Sequence, residues 1–232
     1  MCTVTYLPKG PHHDWLLTSN RDEAPHRAAH GIQRRPGLLF PQDVGAGGTW
    51  IAAHEQGRAA VLLNGAFELH QRQPPYRLSR GLMVLQYFEF ADAAMFVQKF
   101  DFHDLEPFTF IIREQAGLHE IRWDAVQLHH KVLSADTPHI WASATLYGPE
   151  PQQKRRQWFA EWLQNDVPKD QEAALLWHRH TGDGDAWNDL VMNRNGMVQT
   201  VSITSIAQRG NEVSMIFQDL LSGTEQWESM EM

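Results

Sequence analysis

The only cysteine in 232 residues stands at position 2, directly behind the initiator methionine. Removal of Met1, which a small second residue permits, leaves a cysteine carrying a free α-amine. That amine has a reference pKa of ~7.7–8.0 beside a thiol of ~8.5, so one residue supplies both nucleophile and general base. The same Cys2 also suits a plainer role, as a small hydrophobe opening an edge strand.

A second group is Ser19-Asn20-Arg21-Asp22-Glu23, which sets an amide, a guanidinium and two carboxylates side by side. If the strands around it pair as a hairpin, the cluster approaches Cys2. Arg21 can then hold a thiolate or a substrate carboxylate, and Asp22 can hold the α-ammonium. The alternative is a polar strand-to-loop turn with a local Arg–Asp pair. Asn64-Gly65 follows the apolar run Val61-Leu62-Leu63, and an amide at a strand mouth suits an oxyanion donor. The same dipeptide is also a common hairpin turn.

The remaining chemical signals are weaker. Gly45-Ala46-Gly47-Gly48 leads into a strand and lacks the third spaced glycine of a dinucleotide fingerprint. Walker, Gly-x-Ser-x-Gly and His-Glu-x-x-His motifs do not occur. Of the 13 histidines only His178-x-His180 and two adjacent pairs are close in sequence, and helical positions i and i+2 diverge, so no metal site is expected. Trp50, Trp158, Trp162 and Trp177 are core by default and leave room for a flat apolar ligand cavity.

Elements must position these groups. Thr3 to Tyr6 and Trp15 to Thr18 predict an N-terminal hairpin, and 24–44, with three prolines, predicts an irregular excursion. Thr49 to Ala53 and Arg58 to Leu63 predict a second hairpin. Ser79 and Asp92 are placed to cap two short helices. Four strands are expected between Phe108 and Ser143, then helices over 150–163 and 171–177, then a closing hairpin from Met197 to Phe217. Strands grouped in blocks, with helices between the blocks, indicate an α+β chain of two sheets sandwiched by helices, in a single domain over 1–232.

With 28 acidic and 20 basic residues the net charge is −8, which argues against a nucleic-acid surface. The longest apolar run, Ala59 to Leu63, is far below the ~20 residues of a membrane span. A lone cysteine and no basic-then-apolar leader point to the cytoplasm.

Met1-Cys2 before a strand, then Thr18 to Glu23, Gly47-Gly48-Thr49-Trp50, and an apolar strand ending Leu63-Asn64 together resemble the NRDE-motif family, also called the transport and Golgi organisation family. That family resembles N-terminal-nucleophile hydrolases, so the resemblance implies a four-layer αββα sandwich. It implies Cys2 as nucleophile and base, Arg21 flanking it, and Asn64 at the oxyanion position. Asn20 and Trp50 are expected to contact a ligand. Two departures accompany the likeness. The bile-salt and penicillin amidases among those hydrolases set their Asp three residues after the Arg, whereas Asp22 is adjacent, and Ala144 stands where a second oxyanion Asn is expected. The family's association with haem trafficking and lipid homeostasis implies a handler of a small hydrophobic ligand, haem among the candidates, with no cofactor required. The other reading is a hydrolase of non-peptide amide bonds.

Overall fold

The computed structural model describes residues 3–232. Among them the strands are β1 (Thr3–Leu7), β2 (Trp15–Glu23), β3 (Ala29–Arg35), β4 (Leu38–Asp43), β5 (Ile51–His54), β6 (Arg58–Asn64), β7 (Phe108–Glu114), β8 (Gly117–Trp123), β9 (Leu128–Leu133), β10 (His139–Ala142), β11 (Asn193–Arg194), β12 (Val198–Arg209), β13 (Glu212–Asp219) and β14 (Thr224–Glu231). The helices are α1 (Arg80–Tyr87), α2 (Ala93–Lys99), α3 (Pro149–Gln164) and α4 (Gln171–His180). One sheet runs β10-β1-β2-β12-β13-β14 with β11 beside β12, and the other runs β3 to β9 in chain order. Every described pairing is antiparallel.

Alternation along β1 and β2 sorts the side chains between two layers. Val4, Tyr6, Trp15 and Leu17 join the large core shared with the second sheet. Leu7 and Leu16 join a smaller core under α3 and α4 with Phe159, Trp162, Trp177 and Leu190. On the other side Tyr87 of α1 and Phe96 of α2 pack edge-on against Phe110 of β7, at 5.6 and 5.8 Å. The result is the expected four-layer αββα sandwich. Both predicted caps form, with Ser79 Oγ accepting from Leu82 N at 3.3 Å and Asp92 Oδ1 from Met95 N at 2.7 Å.

Three expectations are corrected. The 24–44 excursion is mostly a hairpin, β3 to β4, turning at Pro36-Gly37 with Gly37 at φ +70°. Its Pro41 is tolerated in a strand because β5 pairs only with Leu38 and Leu39, so no ladder bond is asked of it from that side. The closing hairpin is extended by β14, whose Glu225, Glu228 and Glu231 give no apolar alternation and protect an exposed sheet edge. Asn64-Gly65 is not a hairpin turn either. Gly65, at φ +80°, sends the chain into the extended segment 65–79 that returns at α1. No described helix is long and apolar enough to cross a membrane.

Candidate active site

A cleft of about 340 Å³ opens where the end of β2, the turn between β4 and β5, the end of β6, segment 65–79 and the first turn of α1 converge. Arg21, Trp50 and Asn64 line it, three of the residues singled out from sequence.

Arg21 is 3 % exposed. Its Nη2 donates to Asp43 Oδ2 at 2.7 Å, its Nη1 donates to Arg27 O at 2.5 Å, and its guanidinium lies 4.4 Å from the Trp50 ring centroid. Burial lowers its pKa and Asp43 opposes that, so the group stays cationic in a fixed orientation. Asp43 is the hub. Its Oδ2 also accepts from Arg27 Nη2 at 2.7 Å, and its Oδ1 accepts from Gly45 N at 3.0 Å and Ala46 N at 3.1 Å.

The Gly47-Gly48-Thr49-Trp50 stretch builds the facing wall. A Cβ on Gly48 would sit 2.3 Å from the Gly81 carbonyl carbon and 2.6 Å from Leu82 N, so only glycine lets α1 approach this closely. Thr49 N donates to Gly81 O at 3.0 Å, and Thr49 Oγ1 donates to Pro41 O at 2.6 Å. Trp50 is 2 % exposed, and its buried Nε1 has no hydrogen-bond partner among the described residues. Of the four tryptophans expected to leave a flat apolar cavity, it alone lines this cleft. Trp162 and Trp177 stack on each other at 5.4 Å and fill the core under the helices, with Trp158 half-buried against it.

Asn20 and Asp22 project from β2 to the opposite face, toward the helices. Asn20 Nδ2 donates to Leu190 O at 2.7 Å and His178 O at 3.2 Å, and its Oδ1 meets His178 Nδ1. The expected ligand contact of Asn20 is therefore corrected: the amide ties β2 to α4 and to the chain at Leu190, and it does not line the cleft. Asp22 accepts from Tyr147 Oη at 2.8 Å and Thr200 Oγ1 at 2.6 Å. Beside it, Arg155 is wholly buried, donates from Nε to Thr3 Oγ1 at 3.0 Å, and stacks 3.5 Å from the Tyr147 ring centroid. Thr3 pairs with Asn20 in the β1–β2 register. The structure thus sets Arg21 on the cleft side and Asp22 on the helix side of one strand end. Cys2 lies outside the described residues.

The sequence reading missed the far end of the cleft. There Arg80 Nη2 is 3.0 Å from Glu106 Oε2, and Arg80 Nη1 donates to Pro107 O at 2.8 Å. Burial lowers the Arg80 pKa, with Glu106 opposing. Arg72 Nε and His70 Nε2 stand 3.4 and 3.2 Å from Glu106 Oε1, and Tyr76 completes the lining. Nothing in the spacing of these residues links them before the chain folds.

The family model described as Transport and Golgi organisation 2 matches residues 1–212. Two variants of conjugated bile acid hydrolase from Clostridium perfringens superpose with TM-scores of 0.54 and 0.57 at 8 and 9 % identity, each alignment covering 100 % of this chain and 92 % of the other. The Caenorhabditis elegans ortholog of N-acylethanolamine-hydrolyzing acid amidase superposes at 0.50 and 12 % identity, over 89 % of this chain and 92 % of its own. At these identities the likeness is one of fold, that of the N-terminal-nucleophile hydrolases. No curated protein matches the chain in sequence.

Proposed function

The chain belongs to the Transport and Golgi organisation 2 family, and from that premise we propose that it is a cysteine amidohydrolase of small C–N substrates, acting through an N-terminal Cys2. The observation that carries this is the pairing of a fixed cationic Arg21 with Asn64 in one cleft, at the strand end next to Thr3. In this reading Met1 is removed and the Cys2 thiol attacks the substrate carbonyl carbon while its own amine takes the thiol proton. Asn64 stabilises the oxyanion, the amine returns the proton to the leaving nitrogen, and water then releases the acyl group from sulfur. Asp22, fixed by Tyr147 and Thr200, orders the amine from the helix side of the sheet. The reading requires the thiol on the Arg21 face, which Val4 and Tyr6 also take.

One observation favours binding without turnover. Ala144 packs beside Gly65, its Cβ 3.2 Å from where a Gly65 Cβ would be, so a methyl stands near the oxyanion position instead of a second amide donor. Loss of one such donor costs ~10²–10³ in rate. With Arg21, Arg27, Arg72 and Arg80 beside Glu23, Asp43 and Glu106, the described lining is strongly charged and suits a polar ligand better than a large apolar macrocycle such as haem. A cytoplasmic setting is part of the proposal and rests on the lone cysteine.

Intact mass and thiol labelling of the native protein test the reading. We expect a mass lacking Met1, rapid stoichiometric labelling of Cys2 at neutral pH, and loss of both labelling and amide turnover in Cys2→Ala. Retained Met1, or full turnover by Cys2→Ala, would overturn it.

A further inference from the structure

The cleft is charged unevenly along its length. Around Arg21, two guanidinium groups (Arg21, Arg27) face two carboxylates (Asp43, Glu23), with Arg27 Nη1 2.9 Å from Glu23 Oε2. At the far end Arg72 and Arg80 face Glu106 alone among the described lining residues. One positive charge is left over there, in a protein whose net charge is −8. Glu106 is spent on its neighbours: Oε2 serves Arg80, and Oε1 is shared between His70 and Arg72 Nε. The two terminal nitrogens of Arg72 make no hydrogen bond among the described residues, while its side chain is 73 % exposed at the mouth.

A second feature of the same end points the same way. Ser79, Arg80 and Gly81, the cap and first two residues of α1, line the cleft. The amides of Arg80 and Gly81 have no partner within the helix, and the helix dipole adds partial positive charge there. Ser79 Oγ takes Leu82 N, so the cap leaves those two amides to another acceptor. Tyr76 Oη accepts from Gln73 N at 2.7 Å, which keeps its own O–H available to donate.

We propose that this far end, formed by Arg72, Arg80, Tyr76 and the first turn of α1, holds a carboxylate of the substrate, so that the ligand is a small amide carrying one free carboxylate, such as an N-acyl amino acid. A single excess charge matches a monoanion better than a phosphate dianion, and about 340 Å³ suits a small molecule and not a polymer end. Arg80, held in place by Glu106 and Pro107 O, fixes the direction of approach. Arg72 closes over the anion from solvent. The amide bond is then presented toward Arg21 and Asn64. The inference rests on the cleft being the substrate site proposed above, and not on turnover.

Calorimetric titration of the Cys2→Ala protein at pH 8 and low salt tests it, using N-acylglycines from acetyl to octanoyl against the matching neutral N-acylglycinamides. The acids should bind about tenfold tighter than their amides, the worth of one charge-assisted pair. Arg72→Gln should reduce that preference by about three- to tenfold. Because Arg72 is exposed, this variant decides the matter whether or not Arg80→Gln folds. Equal affinity within every pair, no binding by any acid, or a preference unmoved in Arg72→Gln overturns the proposal. Acid preference in Cys2→Ala with no turnover by the wild type sinks the hydrolase reading and leaves this one standing. Efficient turnover of the neutral amides with no acid preference does the reverse.

Discussion

Asp43→Asn is the substitution from which the site has most to lose. The carboxylate accepts four hydrogen bonds at 2.7 to 3.1 Å, two from guanidinium groups on Oδ2 and two from backbone amides on Oδ1. All four partners are donors, so an isosteric amide must turn its own NH₂ toward one pair or the other. If the carbonyl stays with Gly45 and Ala46, the NH₂ faces Arg21 and Arg27, and the buried Arg21 charge is left uncompensated. Removing one partner of a buried pair costs about 3–5 kcal/mol. The Arg27 share is smaller, roughly 0.2–1 kcal/mol, because that side chain is 40 % exposed. We expect a net loss of about 3–6 kcal/mol, a large part of the ~5–15 kcal/mol that holds an ordinary domain together. Urea unfolding measures it: with a slope near 3 kcal/mol/M the midpoint should fall by about 1–2 M. An Arg21→Met/Asp43→Asn double variant should recover much of the loss, because the stranded charge goes with its arginine. A midpoint within about 0.3 M of wild type at unchanged slope would refute the assignment of Asp43 as the hub.

Three further outcomes are expected. Gly48→Ala drives a methyl into the Gly81 backbone at 2.3 Å, so it should destabilise by about 1–3 kcal/mol and displace α1, read as a lower melting temperature and weaker ligand binding. Asp92→Ala removes the 2.7 Å cap of α2 and should cost ~1 kcal/mol in urea unfolding, with the cleft unaffected. His178 is wholly buried, and desolvation pushes its pKa down to about 3, so the folded state keeps it neutral where the unfolded chain, near 6.5, takes a proton. The unfolded state therefore binds more protons between those values, and stability should fall as pH drops through that window, by up to ~1.4 kcal/mol per pH unit from this group. A His178→Gln variant with the same pH slope as wild type between 4 and 6 would count against the assignment.

Much of the frame is legible in the sequence because local rules act where the chain obeys them. Ser79 and Asp92 cap helices where the sequence places them, and the β-prone run Trp15 to Thr18 is a strand. The hairpin of β3 and β4 escapes the reading because Pro36 and Pro41 suggest a loop, and only the partial pairing with β5 shows why a proline is harmless there. The site is half legible. Arg21, Trp50 and Asn64 reach the cleft, but which face of β2 each residue of Ser-Asn-Arg-Asp takes depends on register, and one step separates Arg21 in the cleft from Asn20 under the helices. Arg80 and Glu106 carry no spacing signal, because 26 positions of chain separate two groups that meet only in the fold.

The end of β1 and β2 is fastened by residues that come late in the chain. Tyr147 reaches Asp22 across 125 positions, Arg155 reaches Thr3 across 152, and Thr200 reaches Asp22 across 178. During synthesis at ~5–20 residues per second, roughly 6–25 s separate the making of Asp22 from that of Tyr147. For that interval these fastenings do not exist. Under the proposed function, Met1 can therefore be removed while the chain is still growing, before Tyr147, Arg155 and Thr200 fasten that strand end. On this view maturation and folding are ordered by chain length alone, and a protein refolded from its full-length, unprocessed form would have to be processed with those fastenings already made.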